Sequence, residues 1–500
     1  MMRGLKVFAI ATLAFVCSAH IGSPDVFFRG KAGSYDVSVV VRPPEVVPGI
    51  ARVTVRAGAD VQRVSIRPVF WRAGSKGAPS ADETRRLQGS AGTFEGSLWL
   101  MARGAYSVDV IVDGAHGPGN VLVPVASVAT GRLGMNGGLA ALLIVLGGLL
   151  FAGLVNIVYK AAGESLLPAS EVLDRIRRRR AQRVAAIAMP ILALGLFGGA
   201  RWWKAVDSAY ERTMYSPSRL ALSWSGDELQ LSITDTLFQP PRRPSALIRD
   251  HGKLMHLFLI RAGDAGAFAH LHPRPLDTTA VPDLAVRIPR LPAGAYHVFG
   301  DVVHETGFER TTVGSLTLTS RDSSRPSALT DPDDAWHVGE PATGNRVTLG
   351  DGSIMEMTMD GSGPVRARVE QSIRVVLRNA AGDSLSLDPY LGMPAHGVVA
   401  RLDGRVYVHL HPMGTVTLAA QQAFIARDRG DTTQAGRLNP DEHANHTSAS
   451  PDETSAHSVE FPYAFPTSGE YRLFIQVKRG GRILTGAFAI PVMNGAAEGK

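Results

Sequence analysis

Two histidine patterns repeat along this chain of 500 residues. Met255 and His256 precede His270-Leu271-His272-Pro273, and Met393 and His396 precede His409-Leu410-His411-Pro412. The leading histidine stands fourteen residues before the pair in one copy and thirteen in the other, a difference that a hairpin loop absorbs. Residues i and i+2 of a strand share a face, so each H-L-H pair sets two imidazoles side by side. Neighbouring imidazoles with methionine nearby form a bed for a transition metal, copper above all.

The candidate ligands of the middle segment are His251, Met255, His256, His270, His272, Asp301 and His304. Those of the last are Met393, His396, His409, His411 and Met413. Copper(II) takes imidazole and carboxylate, and copper(I) also accepts thioether. Zinc usually completes a closed tetrahedral site with a further histidine or a carboxylate. A set holding both His and Met therefore favours copper. The bland alternative is structural: a histidine pair beside a turn caps backbone groups, the proline after it fixes a strand end, and Met255 and Met393 fill cores. Duplication, with a third histidine at similar spacing in each copy, argues for metal.

The elements that must carry these residues read as strands. Gly 53 and Pro 31 imply many turns. Residues 20–130 alternate through Tyr35–Val41, Ala51–Arg56 and Val61–Ile66. Two further modules follow, 205–320 and 337–495. All three close on a G-x-Y strand, at Gly104-Ala105-Tyr106, Gly294-Ala295-Tyr296 and Gly469-Glu470-Tyr471, the placement of a tyrosine at the strand corner of a Greek-key sandwich. The expected class is mainly β: three immunoglobulin-like Greek-key β-sandwiches plus a two-helix transmembrane hairpin. A polar linker, Ser320 to Asp334, separates the second and third modules, and residues 427–458 read as a mobile hydrophilic insertion. Its His443, His446 and His457 read as solvated.

Residues 133–158 and 184–203 are apolar runs long enough to cross a bilayer. Trp202 and Trp203 beside Arg201 and Lys204 suit a membrane interface. Between the runs, residues 159–183 carry Lys160, Arg175, Arg177, Arg178, Arg179, Arg180 and Arg183, which assigns this short basic loop to the cytoplasm. Both flanking regions then face outward. Residues 1–19 agree: Arg3 and Lys6, an apolar run, then small residues at a cleavage position read as a secretory signal. The expected location is the bacterial inner membrane, with N- and C-terminal domains extracytoplasmic and the lipid bilayer as partner. Gly195 with Gly199, and Gly148 with Ala152, have the spacing of close helix packing, although small residues are common in membrane helices.

The lone Cys17 lies in the signal, so the mature chain expects neither disulfides nor thiolate ligands. Cleavage after Ala19 would leave His20 with a free amine, a chelating pair for copper that only His116 of that module could join. Much of the net charge of +7 is local, at Arg177–Arg180 without interleaved aromatics, and a solvated basic loop explains it better than nucleic-acid binding. No phosphate loop, nucleophile elbow or H-E-x-x-H is present. An enzyme is therefore not expected. A cupin-like metalloenzyme is one alternative, with Gly263 to His272 as its strand and Asp277 as the carboxylate. An envelope binding or assembly scaffold with structural histidines is the other, and that reading expects the rings to lie apart.

Three motifs carry a resemblance: H-G-K-x-M-H-L-F at 251–258, A-H-L-H-P at 269–273 and L-P-A-G-x-Y-x-x-F at 291–299. They resemble extracytoplasmic YtkA-like and CopC-type β-sandwich proteins of bacteria, some tied to copper handling. The first module, with Leu98-Trp99-Leu100-Met101 and Gly104-Ala105-Tyr106 before a membrane helix, looks like FixH/YtkA-like segments. The whole chain looks like uncharacterised bacterial membrane proteins with this order of parts. The resemblance is to anchored envelope proteins and brings no assigned activity; the residues themselves carry the expectation of a transition-metal site, copper favoured, among His256, His270, His272, His304, His396, His409, His411, Met255 and Met393, for sequestration or for delivery to an envelope protein partner.

Overall fold

The computed structural model describes residues 20–21, 25–90, 92–165, 171–234, 245–323, 331–361, 363–430 and 457–495. The signal segment 1–19 lies outside them, as do 431–456 of the insertion with His443 and His446. Residues 129–215 form one compact unit, and the flanking segments 1–128 and 216–500 together form the other.

The first unit is helical. Asn136 caps a helix, Gly137–Glu164, through Oδ1 to the amides of Gly138 and Leu139. Asp174 caps the second, Arg175–Glu211, through Oδ1 to the Arg177 amide at 2.7 Å. Both helices are long and apolar enough to cross a membrane. The basic segment thus differs from a loop: Arg175, Arg177, Arg178, Arg179, Arg180 and Arg183 form the opening turns of the second helix. Arginine is a strong helix former, so nothing interrupts the run once Asp174 has started it. The helices approach where Gly163 faces Ala181, and a Cβ on Gly163 would sit 3.3 Å from that of Ala181. Gly148, Gly195 and Gly199 face open space instead. Arg132 pairs with Asp207 and Glu211 at the other end.

The larger unit contains three β-sandwiches. In the first, the sheet ordered Val26–Ala32, Tyr35–Arg42, Gly49–Ala57, Thr93–Leu100 and Arg85–Arg86 faces the sheet ordered Gly117–Ser127, Gly104–Gly114, Val61–Phe70 and Asp82–Glu83. Val39, Val55, Val64, Val108, Val110 and Leu100 fill its core. The middle and last modules share one strand order. One face of the middle module runs Ser218–Ser225, Glu228–Thr234, Leu284–Arg287 and the other Ala267–Leu271, His256–Arg261, Gly294–His304, Glu309–Leu318, and parallel pairing of Ser218 and Arg219 with Thr312 and Val313 joins them into one continuous sheet. The last module repeats the strand order as Ile354–Thr358, Glu370–Arg378, Ser458–Ala464 against Val406–Leu410, Ala395–Arg401, Gly469–Arg479, Arg482–Val492. Strand Ala335–Val338 departs from the expected boundary. It adds to the middle module, pairing His337 with Phe268 and Val338 with Ala267.

The three G-x-Y strands behave alike. Gly104, Gly294 and Gly469 have φ of 131°, 147° and 143°, a region that disfavours side chains. Two residues later Tyr296 and Tyr471 donate their hydroxyls to the carbonyls of Pro292 and Thr467, at 2.7 and 2.8 Å, four residues upstream. Tyr106 instead accepts from the Ala102 amide at 3.1 Å. Each bond pins the corner from which the long central strand departs.

Those strands are buried on both faces. Leu257, Leu259, Ala267, Ala269 and Leu271 point into the core of the middle module, while Phe258, Ile260 and Phe268 point out of it. In the last module Val399, Val406, Val408 and Leu410 point inward, and Val398, Ala400 and Tyr407 outward. The outward sets meet in a shared apolar layer with Phe299, Phe474 and Ala487. Phe268 stacks on Phe474 at 4.3 Å, and its counterpart Tyr407 stacks on Phe299 at 4.2 Å. The two modules therefore pack as pseudo-twofold mates, and the period-2 rule sends the histidines into the same seam.

Candidate metal centre

At one end of this seam His251, His256, His270, His272, His396, His409 and His411 gather into one buried nest. Within the first triad the ring centroids are 5.3 Å (His256–His270), 5.2 Å (His256–His272) and 4.6 Å (His270–His272) apart. In the second, His396–His409, His396–His411 and His409–His411 are 5.4, 5.2 and 4.4 Å apart. In each triad one donor nitrogen per ring lies within 4.8 Å of the others, close enough to share an ion. The scaffold alternative expected these rings apart, and the structure brings them together.

Matching turns aim the leading histidines. Asp250–Lys253 and Tyr390–Met393 are closed by paired backbone hydrogen bonds of 2.7 to 3.1 Å. Their second and third residues have positive φ: His251 51°, Gly252 80°, Leu391 52°, Gly392 78°. This is the tight hairpin geometry in which glycine is favoured at the third position. The turn carbonyls then face the rings, and Nε2 of His256 donates to Asp250 O at 3.3 Å while Nε2 of His396 donates to Tyr390 O at 3.1 Å. In a neutral ring the other nitrogen, Nδ1, then keeps its lone pair.

The second histidines face polar groups across the seam, and His270 is hydrogen-bonded there. Nδ1 of His270 donates to Oε1 of Gln476 at 2.8 Å, beside the Tyr390 hydroxyl at 3.3 Å. That hydroxyl itself donates to Asp333 O. Nδ1 of His409 lies 3.7 Å from Oδ2 of Asp301, a residue that occupies the position of Gln476 in the other module. With Nδ1 of His270 protonated, its Nε2 is bare and faces the bare Nδ1 of His256 at 3.0 Å. The matching pair, Nδ1 of His396 and Nε2 of His409, is 3.3 Å apart. Two nitrogens bound at ~2.0–2.1 Å to one ion, with angles near 90–110°, lie about 2.9–3.4 Å apart.

The third histidines complete each set. His272 receives Oδ1 of Asp334 at both its amide (2.7 Å) and its Nδ1 (3.0 Å), which leaves Nε2 free of a proton. Nε2 of His272, His251 and His411 is buried with no hydrogen-bond partner among the described residues. Lys253 bridges Asp331 and Asp333 and closes the loop that delivers Asp334. On the other side, the loop after His411 is clamped by the first sandwich, where Arg29 N donates to Met413 O at 2.7 Å and Thr415 N to Phe27 O at 3.0 Å. Helix Leu418–Arg429 follows. Thr417 caps it, Glu309 accepts from Thr417, and Asp250 accepts from the Ala419 amide at 3.0 Å. Phe424 of this helix packs edge-on against Trp71 of the first sandwich. Strand His20–Ile21 pairs in parallel with Val406 and Tyr407.

Burial first, and the neighbouring imidazoles second, hold His256, His270, His396 and His409 well below the ordinary imidazole range. Burial pushes His411 down to about 4. These rings are neutral at neutral pH, the form that binds metal. Burial also raises Asp301 to about 6, against the opposing hydrogen bonds from Thr311 and Tyr407.

Four expected ligands stand elsewhere, one of them Met413, which packs against the core of the first sandwich. Met255 precedes His256 by one position, so it points to the opposite face and is fully buried in the core of the middle module. Met393 occupies the turn position of Lys253, and the true counterpart of Met255 is Ala395. His304 lies three positions beyond Asp301 and so faces away, with Nδ1 bonded to Ser245 O at 2.9 Å. Asp277, the carboxylate of the cupin alternative, is exposed and bonded to Thr279. Residues that the sequence did not single out, Asp334, Gln476, Asp250 and Tyr390, orient the rings. Their signal was indirect: strands such as His256–Ile260 and Ala267–Leu271 carry apolar residues at successive positions, the mark of burial on both faces.

A domain of unknown function, DUF8832, matches residues 347–494, which is the last sandwich. Comparison with curated proteins found no match. Among solved structures, the chain is similar to the tetra-tandem repeat in the extending region of a large adhesion protein, with 8% identity, 89% of this chain and 71% of that one covered, and a TM-score of 0.14. It is also similar to dimeric latent PorU from Porphyromonas gingivalis (8% identity, 95% and 34% covered, TM-score 0.14) and to the BSP domain of a biofilm associated protein (8% identity, 97% and 68% covered, TM-score 0.15). TM-scores this low reflect no shared overall arrangement, so the chain's chemistry is read from its own residues.

Proposed function

We propose that this protein binds a transition metal, with copper as the favoured ion, in the histidine nest between its last two sandwiches, and that it holds or delivers the ion in the bacterial envelope. One observation carries the reading: Nδ1 of His256 and Nε2 of His270 face each other at 3.0 Å, while the far nitrogen of each ring already faces an oxygen that takes its proton, Asp250 O and Oε1 of Gln476. Two lone pairs that face in a buried space repel. A shared cation removes that repulsion, and it would meet a third bare nitrogen on His272. An all-imidazole set suits copper, zinc, iron or nickel, and the Irving–Williams order places copper(II) first among these. Met255 and Met393 are not in the set, so the preference no longer rests on thioether.

Holding suits the site better than turnover, because the donors are buried. The two apolar helices anchor the protein in the inner membrane, with the arginine-rich turns of the second helix in the cytoplasm and the sandwiches outside. Delivery would require an envelope partner, and the copper-linked sandwich proteins that the motifs resemble point the same way.

The test is titration of the full-length protein in detergent with copper(II), copper(I) under anaerobic conditions, and zinc(II). His256→Ala/His270→Ala should lose affinity by roughly 100-fold or more. Unchanged stoichiometry and affinity in that variant would remove the site. The full chain is required because the helix after the second H-L-H pair is covered by Trp71, Ala105 and Leu122 of the first sandwich.

A further inference from the structure

We infer that the two histidine triads form one paired centre, in which two metal ions sit as neighbours and each alters the binding of the other. The inference rests on the metal-binding reading above and goes beyond it. Two modules that each bound an ion independently would keep their ligands apart. Here the shortest distance across the seam falls within the range found inside a triad, and two others exceed that range by about 1 Å or less. His256 and His409 are 5.3 Å apart, His270 and His409 5.7 Å, and His270 and His396 6.4 Å. Rings at such separations are in contact, so no side chain or backbone layer insulates one donor set from the other. The paired stacks of Phe268 on Phe474 and Tyr407 on Phe299 fix this approach from both sides.

His251 joins the two sets. Its ring centroid is 5.4 Å from His396, 5.5 Å from His411 and 6.2 Å from His256, and its Nε2 is a buried orphan. Its counterpart in the other turn is Leu391, so this seventh imidazole has no symmetric mate. It can serve either ion.

The charges nearby decide which ions fill both places. Asp334 touches His272, Asp301 lies 3.7 Å from His409, and Asp250 lies 3.7 Å from His251. These carboxylates offset part of the charge that two ions bring, whereas the imidazoles offset none. Repulsion scales with the product of the charges, so at one distance two divalent ions repel four times as strongly as two monovalent ions. Copper(I) should therefore fill both places with closely spaced affinities. The second copper(II) should bind roughly tenfold or more weakly than the first, a gap of the size usual between coupled sites.

The experiment uses full-length protein in detergent, loaded with copper alone. Copper(I) titrated anaerobically should reach two ions per chain. Protein saturated with copper(II) should give a spin-coupled electron paramagnetic resonance spectrum, with a half-field transition and dipolar broadening. His409→Ala/His411→Ala should bind one copper(II) per chain and show a sharp, isolated signal. Two ions per chain with sharp, uncoupled signals would overturn the pairing and leave metal binding standing. One ion per chain in the wild type would overturn it as well. No bound ion would overturn the metal-binding reading itself. The wild-type spectrum decides the question even if the double variant fails to fold.

Discussion

His270 donates its Nδ1 proton to Oε1 of Gln476, a residue 206 positions away on the central strand of the neighbouring sandwich, at 2.8 Å. The middle module alone cannot fix the tautomer of its own second histidine. The nest is therefore a property of the assembled pair, and changes in the seam or around its loops should reach the rings.

Asp334 is the clearest lever on the first triad. It bonds both the amide and the Nδ1 of His272, and its side chain is fully buried. Asp334→Asn keeps the shape and removes the charge. Copper affinity should fall about 10–100-fold, the usual effect of losing a partner that orients a ligating histidine. Competition titration against a chelator of known affinity reads the change, and an unaltered constant would detach Asp334 from the site.

Acid should unfold the metal-free protein. His256, His270, His396, His409 and His411 are held neutral in the fold, chiefly by burial. In the unfolded chain such rings titrate near about 6.5. Below that value the unfolded state binds more protons than the native state, so stability present at neutral pH is lost as pH falls. The loss runs at about 1.4 kcal/mol per pH unit for each ring, and for His411 it continues down to about 4. Urea midpoints measured from about pH 7.5 to about pH 4.5 should fall steeply. Bound metal should delay the fall, and a flat profile would mean that the rings are not buried neutral.

The stacked ring pairs hold the seam. Phe268→Ala removes one side of the 4.3 Å stack on Phe474 and leaves a cavity in the shared apolar layer. The expected cost is about 3–5 kcal/mol by denaturant unfolding. Phe474→Ala should cost a similar amount, and the double variant less than the sum, because the two rings contact each other. Strict additivity would mean that the stack does not couple the modules.

Thr417 links the second triad to the helix behind it. Its hydroxyl caps Leu418–Arg429 and donates to Glu309 at 2.8 Å. Thr417→Ala should cost about 1 kcal/mol from the lost cap. Glu309, which burial already raises to about 7, would keep only the backbone amide of residue 417 as a donor. Denaturant midpoints at neutral pH measure the effect, and no change would show that the cap carries no stability.

The membrane arrangement can be read chemically. Cys17 lies in the expected signal, so a mature chain without it has no background thiol. Ser225→Cys, on an exposed strand end, should react with an impermeant maleimide from outside the inner membrane. Arg178→Cys, on the opening turns of the second helix, should react only after permeabilisation. The reverse pattern would invert the topology.

Much of the architecture was legible in the residues. Alternation and G-x-Y corners gave the sandwiches, because both are local consequences of strand geometry. The H-L-H pairs gave four of the seven rings of the nest, because i and i+2 share a face. Strand phase also shows why Met255 and His304 fail as ligands, since each sits an odd number of positions from a residue that faces the seam. The placement of Met393 needed the turn itself, because the sequence aligned it with Met255 while the backbone aligns it with Lys253. The meeting of the two modules was the least legible part. It depends on contacts between Phe268 and Phe474, and between Tyr407 and Phe299, that no local pattern encodes. Helix Leu418–Arg429 was hidden for a related reason: its buried Ala419, Ala420, Ala423, Phe424 and Ala426 owe their burial to partners distant in sequence.

The turn that carries His251 on one side carries Leu391 on the other, with nearly the same backbone. Two separate identical chains could not differ in this way, because any substitution would be copied into both. Fusion into one polypeptide frees each half to drift from its twin, so an imidazole can stand on one side of the seam where the other side keeps an aliphatic chain.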